Sequence, residues 1–319
     1  MKPFTHTNAR TVADARKSLS GNRTAVIAGG SDLIGTLKDN ILPDNMHPAT
    51  LVNIKTIPNL DYIKEESGTL KIGAATRLAD IAANATVSGK YAALSQAASR
   101  VATPHIRDMG TIGGNISQLH RCWYFRKPEN RFPCVRKGGK TCFAMTGDNR
   151  YHSIFGAVNM CIAVHPSDLA PALIALDAKV VTNSRTIPIE QFFDVKTPGN
   201  TVLNAGEIIT EIQVPAPPAG ANSAFLKFAI RKSIDFPIVN VAVRAGGSSA
   251  PRIALNAVAP KPYRAVKAEE SLAGKAINEA NATAAGEAAV ADANPMFAAA
   301  KYKVQIAKTL VKRALMSIA

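Results

Sequence analysis

All four cysteines of this chain fall between residues 122 and 161, spaced C-x11-C-x7-C-x18-C, and the remaining sequence has none. That clustering limits the fold and the chemistry more than any other feature. A chain of 319 residues can bury cores large enough to fold without disulfides. Its first residues, MKPFTHTNARTVADARKSLS, lack the apolar stretch of a secretory signal, so ligation of one metal centre is expected in place of disulfides. Zinc ribbons and knuckles need close C-x2–4-C pairs, which this spacing does not offer. Four thiolates from an irregular loop suit a [4Fe-4S] cluster whose negative charge neighbouring Arg and Lys residues offset. Cys122, Cys134, Cys142 and Cys161 are the expected ligands. Cys161, within NMCIAV, also suits a core strand where a thiol is merely packed, and His120 is the first candidate to replace a thiolate.

The chain carries 38 Lys and Arg against 23 Asp and Glu, a formal charge of +15. Such a surplus suits an acidic partner, a phosphate-rich ligand or nucleic acid. Residues 121–140 interleave seven Arg or Lys with four aromatics, a pattern also used for phosphate contact and base stacking. No run approaches the roughly 18 apolar residues of a membrane span, so no membrane insertion is expected. The chain reads as cytoplasmic, or as exported on a signal-bearing partner.

Periodicity predicts a helix over ADARKSLS, a strand over TAVI running into a glycine turn, and a helix over LIGTLKDN. Further strands are expected in TLVNI and TLKIGAAT, and helices in RLADIAANATVSG and YAALSQAASRVA. A long irregular insertion follows, and the sequence after Cys161 resumes as strand, turn and helix. A Pro- and Gly-rich connection near Pro218 marks a boundary, after which strands give way to Ala-rich helices.

In AVIAGGSDLIG, Gly29 and Gly30 follow a strand and precede a helix, so bare backbone N–H groups can converge on an anion, with Ser31 as helix cap. The motif is neither G-x-G-x-x-G nor a P-loop, and a tight turn without ligand is the plainer alternative. Gly113, Gly114 and Asn115, after Thr111, form a second such element, or else a helix C-cap or bulge. Asp168 could bind a ribose or ribityl hydroxyl, or simply complement a helix start.

Taken in order, IAGGSDLIGTLK, GTIGGNISQLHRCWYF, CIAVHPSDLAPAL and FLKFAIRKSIDFPIV resemble the FAD-binding subunit of the molybdenum hydroxylases, the xanthine dehydrogenase and carbon monoxide dehydrogenase family. The resemblance spans essentially the whole chain. The cysteine loop is similar to that of the subgroup with an additional [4Fe-4S] cluster, of the periplasmic aldehyde oxidoreductase and 4-hydroxybenzoyl-CoA reductase type. The resemblance implies a first FAD loop at Val26, Ile27, Ala28, Gly29, Gly30, Ser31, Asp32 and Leu33, and a second at Thr111, Gly114 and Asn115. It places Asp168 on the ribityl side, Ile209 against the isoalloxazine and Lys227 near the ring. Ser31 stands where threonine is commoner.

The expected fold is α+β: a PCMH-type FAD-binding domain of two subdomains over residues 1–217, interrupted by the cysteine loop at about 121–161, then a C-terminal domain at 218–319 of a small antiparallel sheet and a helical bundle. The expected function is electron relay through FAD and a [4Fe-4S] cluster, in a heterotrimer with a molybdopterin-binding large subunit and a [2Fe-2S] small subunit. No residue here is expected to do substrate chemistry. A metal-containing nucleic-acid-binding protein and a self-contained flavin oxidase are the alternatives. The first leaves both glycine turns and Asp168 unexplained, and the second lacks a paired acid and base.

Overall fold

Strands β1 (Thr5–Asn8) and β2 (Thr24–Ile27) both run parallel to β3 (Thr50–Asn53), which lies between them. Parallel neighbours need a crossover, and the helix Val12–Leu19 supplies it. Thr11 caps that helix, accepting from the Asp14 N–H at 3.0 Å, and Ala15 and Leu19 pack into one core with Val52 and Ile54. Strand β2 delivers the chain into the GGSD turn at the sheet edge. The computed structural model describes residues 1–319 except 232, 233, 248, 296 and 297.

A second, antiparallel sheet has the order β4-β5-β8-β6-β7, from β4 (Ile63–Glu66), β5 (Thr69–Gly73), β6 (Lys179–Thr182), β7 (Thr186–Pro188) and β8 (Ile209–Pro215). Leu70, Ile72, Val180, Ile212 and Val214 from its strands share a core with Leu94 and Ala97 of the helix Ala92–Ser99. The helix Leu169–Ala175 is buried on every side, as a helix apolar all round must be, because it packs against the third sheet as well. The helix expected over RLADIAANATVSG is two helices, Leu78–Ala83 and Ala85–Lys90. Asn84 turns the chain between them and caps the second, accepting from the Val87 N–H at 3.1 Å.

The third sheet is antiparallel, in the order β12-β11-β10-β9, from β9 (Ala221–Phe228), β10 (Val239–Gly246), β11 (Ser249–Asn256) and β12 (Tyr263–Arg264). The central strand β10 is buried from Val239 to Ala245 because both faces are covered. Side chains alternate across a strand. Val239, Val241 and Val243 therefore face the helices Val266–Leu272, Glu279–Ala289 and Ala298–Met316. Asn240, Ala242 and Arg244 face the first 217 residues, where Asn240 reaches Asp168 and Arg244 reaches Asp177. The α+β expectation holds.

Two local expectations do not. Cys161 lies in no strand; it makes one isolated bridge with Val158, because the chain there follows the irregular loop and not a sheet. Ser31 caps no helix: the helix Leu33–Lys38 starts from Asp32 without a side-chain cap bond, and Ser31 is exposed. The second glycine element opens a helix, Ile112–Ser117, capped by Thr111, following the short helix Pro104–Met109. Among the described residues no helix is long and apolar enough to cross a membrane.

Candidate functional site

A cavity of about 590 Å³ collects the two glycine turns at one place. Its wall contains Val26 to Leu33 from the end of β2, Thr111, Gly114 and Asn115 from the second turn, and Asp168 and Lys227. Segments more than a hundred residues apart in sequence thus meet on one concave surface. Ile209 is the exception. It lies in the main core at the start of β8 and is not part of the wall.

Gly29 sits where a side chain has no room, since a Cβ there would lie 2.0 Å from the Met109 carbonyl oxygen. Gly30 adopts φ +68°, a left-handed conformation that costs other residues energy. Gly113 has a packing role and not a cofactor-facing one: a Cβ there would crowd the Ala74 carbonyl at 3.0 Å, and only Gly114 reaches the cavity. Thr111 Oγ1 accepts from the Gly114 N–H at 3.2 Å, which holds the second turn in shape.

Asp168 is joined to two neighbours that face each other across the third sheet, Lys227 on β9 and Asn240 on β10. Lys227 Nζ is 2.7 Å from Oδ2, and Asn240 Nδ2 donates to Oδ1 at 2.6 Å. Burial pushes the Asp168 carboxyl up, while Lys227 and Asn240 act against that shift. The pair braces the cavity from the third sheet.

Asp32 connects the first turn to the cysteine loop. Its Oδ1 is 2.8 Å from Arg126 and 3.0 Å from Arg121, off-axis contacts that act as ion pairs, and its Oδ2 accepts from the Leu119 N–H at 2.9 Å. The Arg121 guanidinium also lies 4.7 Å from the centre of the Phe236 ring at the cavity mouth. Gln118, Leu119, Pro198 and Phe236 line the cavity too; all but Pro198 lie in the segments that carry the resemblance, where none of them was singled out.

The family profile described as the FAD binding domain in molybdopterin dehydrogenase matches residues 2–217. The chain belongs to the family of FAD-binding medium subunits of the molybdenum hydroxylases. A second profile, the CO dehydrogenase flavoprotein C-terminal domain, matches residues 224–318. The aldehyde oxidoreductase FAD-binding subunit PaoB of Escherichia coli K12 is 36% identical over 285 residues, covering 85% of this chain and 86% of that protein. The carbon monoxide dehydrogenase medium chain of Hydrogenophaga pseudoflava is 30% identical, covering 92% and 89%. A solved structure of that organism's carbon monoxide dehydrogenase, lacking the Mo-pyranopterin moiety, aligns with a TM-score of 0.75 at 28% identity, covering 99% of this chain and 96% of the other. The fold of this flavoprotein is that of the carbon monoxide dehydrogenase medium chain, and its relatives are oxidoreductase subunits.

The four cysteines of the flavoprotein are free thiols, with Cys134 and Cys161 buried and Cys122 and Cys142 half-buried. Cys122 packs against both the core that holds Cys134 and the one that holds Cys161. Cys161 and Cys134 are near enough to Cys122 to push its pKa up, and Cys142 is near enough to Cys134 and Cys161 to push theirs up. Burial is the first cause, and it takes Cys122 up to about 12. Backbone N–H groups of Tyr124 and Phe125 favour the Cys122 thiolate, that of Arg136 favours Cys134, and the Ala163 N–H is 3.4 Å from Cys161 Sγ. Among the described residues no group of three or more His, Cys, Asp or Glu is placed to hold a single metal ion.

Two cations are buried with these thiols. Arg136 lies 3.8 Å from Cys161 Sγ and donates to the carbonyls of Lys196, at 2.7 Å, and Pro198, at 3.2 Å. Lys137 has 4% of its surface exposed, and its ammonium has no hydrogen-bond partner. It lies 5.2 Å from the centre of the Phe125 ring, with burial lowering its pKa and Cys134 and Cys122 drawing it back up. His120 is also buried with both ring nitrogens unpartnered, but the histidine nearest a thiol is one the sequence did not single out. His152 Nε2 lies 3.2 Å from Cys122 Sγ.

Proposed function

We propose that this chain is the electron-transferring flavoprotein of a molybdenum-containing hydroxylase or dehydrogenase, holding FAD in the cavity of the two glycine turns and a [4Fe-4S] cluster on Cys122, Cys134, Cys142 and Cys161. The match of residues 2–217 to the FAD-binding family carries this reading, and the convergence of both turns on one cavity supports it. In it, bare backbone at Gly29, Gly30 and Gly114 meets the pyrophosphate, and the Asp168–Lys227 pair lies beside the ribityl chain and ring. The division at 217/218, with the cysteine loop as an insertion, and a placement in the cytoplasm, or in the periplasm if exported on a signal-bearing partner, belong to the same reading.

The cysteine region fits a cluster on its donor chemistry. An ammonium buried without a counter-charge is costly, and Lys137 is such a group beside thiols. Four thiolates around an iron–sulfur core supply the missing negative charge, and backbone N–H groups aimed at sulfur suit thiolates better than thiols. Four thiolates that would each bind a different iron need not converge on one point, so the lack of a single-ion site among the described residues is compatible with a cluster. Bound FAD carries electrons in pairs and releases them singly, and a bound cluster carries one at a time. The protein's part is to hold both in a water-poor interior, with the segment from Gln118 to Cys122 running between them.

The partners in this reading are a molybdopterin-binding large subunit and a [2Fe-2S] small subunit, consistent with relatives described as medium chains of carbon monoxide dehydrogenase. Nucleic-acid binding is disfavoured by where the cations go. Arg121 and Arg126 are engaged with Asp32, and Arg136 and Lys137 are buried, so four of the seven in residues 121–140 are withdrawn from an outer surface.

The deciding experiment is the visible spectrum of the anaerobically purified chain, with flavin, iron and acid-labile sulfide counted. Flavin bands over a broad iron–sulfur shoulder, with one cluster for each FAD, are expected. Flavin without iron and sulfide removes the cluster from the reading, and a colourless protein overturns it entirely. Cys161→Ser is expected to lose or convert the cluster and keep FAD. An unchanged cluster in that variant assigns Cys161 to packing alone.

A further inference from the structure

We propose that His152 is a positioning residue for Cys122, donating an Nε2–H···S hydrogen bond to its thiolate, and that Lys303 on the C-terminal helix holds His152 in place. The proposal rests on the cluster reading above and extends it to two residues outside the cysteine set.

The geometry has three parts. His152 Nε2 is 3.2 Å from Cys122 Sγ, and Nδ1 has no partner, so the sulfur is the ring's one polar contact. A neutral imidazole carries one N–H, and a thiolate opposite Nε2 selects the tautomer with the proton there. The residue's backbone is fixed as well: its N–H donates to the Asn149 carbonyl at 2.8 Å, and the next N–H, of Ser153, donates to the Ile162 carbonyl at 3.0 Å, one residue past Cys161.

Lys303 supplies the third part. It comes from the helix Ala298–Met316 and is 1% exposed. Its Nζ donates to the carbonyls of Tyr151 and His152, each at 2.9 Å. Lysine is rarely buried so completely, and an apolar residue would pack this helix at lower cost. What the amine adds is a clamp on two carbonyls beside a ring that touches a ligand thiol. The C-terminal domain thereby reaches the cluster region through one side chain.

Hydrogen bonds to ligand sulfur set the reduction potential of iron–sulfur centres. An N–H donor favours the form with more negative charge, the reduced cluster, and so raises the potential. Its removal lowers the potential and leaves the iron count unchanged, a signature that packing alone does not produce.

The test compares full-length wild type with His152→Leu, His152→Gln and Lys303→Met. FAD, iron and sulfide are counted, and the cluster midpoint is read by EPR-monitored titration with dithionite. At a fixed potential near the wild-type midpoint, His152→Leu is expected to show a roughly tenfold lower ratio of reduced to oxidised cluster, about 59 mV for a one-electron couple. His152→Gln, whose amide still offers an N–H, is expected to recover most of that shift. Lys303→Met is expected to move the midpoint the same way with FAD retained, which keeps the idea testable if His152→Leu does not fold. A wild-type chain with FAD but no iron overturns the cluster reading and this role together. A full wild-type cluster with the same midpoint in His152→Leu and Lys303→Met overturns the His152 role alone.

Discussion

Arg126, four residues after Cys122, places Nη1 2.8 Å from Oδ1 of Asp32, two residues after Gly30. The same guanidinium donates to the carbonyls of Leu119 and His120, each at 2.9 Å, and to Thr36 Oγ1 at 3.1 Å. One side chain therefore closes the start of the cysteine loop onto the first glycine turn. In the proposed assignment this contact sets the distance between the two redox sites.

Asp32→Ala removes the counter-charge of both Arg121 and Arg126. Breaking a partly buried pair from one side costs about 3–5 kcal/mol. FAD and iron are expected to be lost together, because the turn and the loop move apart as a unit. Flavin and iron assays on the same preparation check this, and loss of only one cofactor contradicts the coupling.

Gly29→Val tests the first turn. The added side chain collides with the Met109 carbonyl, and overpacking of this kind costs about 1–3 kcal/mol. The purified variant is expected to carry little FAD while its far-ultraviolet circular dichroism stays close to wild type. Full flavin retention places the cofactor elsewhere.

Lys137→Met has opposite expected signs in the two states of the protein. Without a cluster, the variant removes a buried charge that has no partner, and its melting temperature rises. With a cluster bound, the same change removes a neighbouring positive charge, and the cluster becomes harder to reduce. A variant less stable than wild type in iron-free protein argues that Lys137 has a purely structural role.

Glu207 makes stability depend on acid. Hydrogen bonds from Arg185, followed by those from the Asn204 N–H and Thr182, pull its pKa down to about 2, against burial. Its folded pKa lies below the unfolded value, so the stabilisation is present above the ordinary carboxylate range and fades as pH falls from about 4.5 towards about 2. Melting temperature is expected to drop across that window in wild type and to stay flatter in Glu207→Gln. Parallel curves for the two proteins remove the assignment.

The strand TAVI and its glycine turn, the helix after it, the irregular cysteine loop and the late antiparallel sheet are visible in the sequence, because each depends on residues within about ten positions of one another. Gly29 and Gly30 announce a backbone constraint, and four cysteines in one loop announce a common purpose. Local pattern does not say what a residue faces. Gly113 looks like a cofactor-facing glycine and is a packing contact with Ala74; Cys161 looks like a strand residue and lies in a loop; Ile209 looks like a wall residue and lies in the core.

The charged residues of the cysteine loop show the same division. In sequence Arg121, Arg126, Arg136 and Lys137 form part of a basic, aromatic run suited to an outer surface. In the folded chain Asp32 and the thiols draw all four inward. His152 meets Cys122 across 30 residues and Lys303 meets His152 across 151, and no periodicity links positions so far apart. Motifs taken in order pointed to most of the elements and to the FAD-binding family the chain belongs to. Tertiary packing alone decided which cations lie beside which thiols, because that depends on which distant surfaces must be buried together.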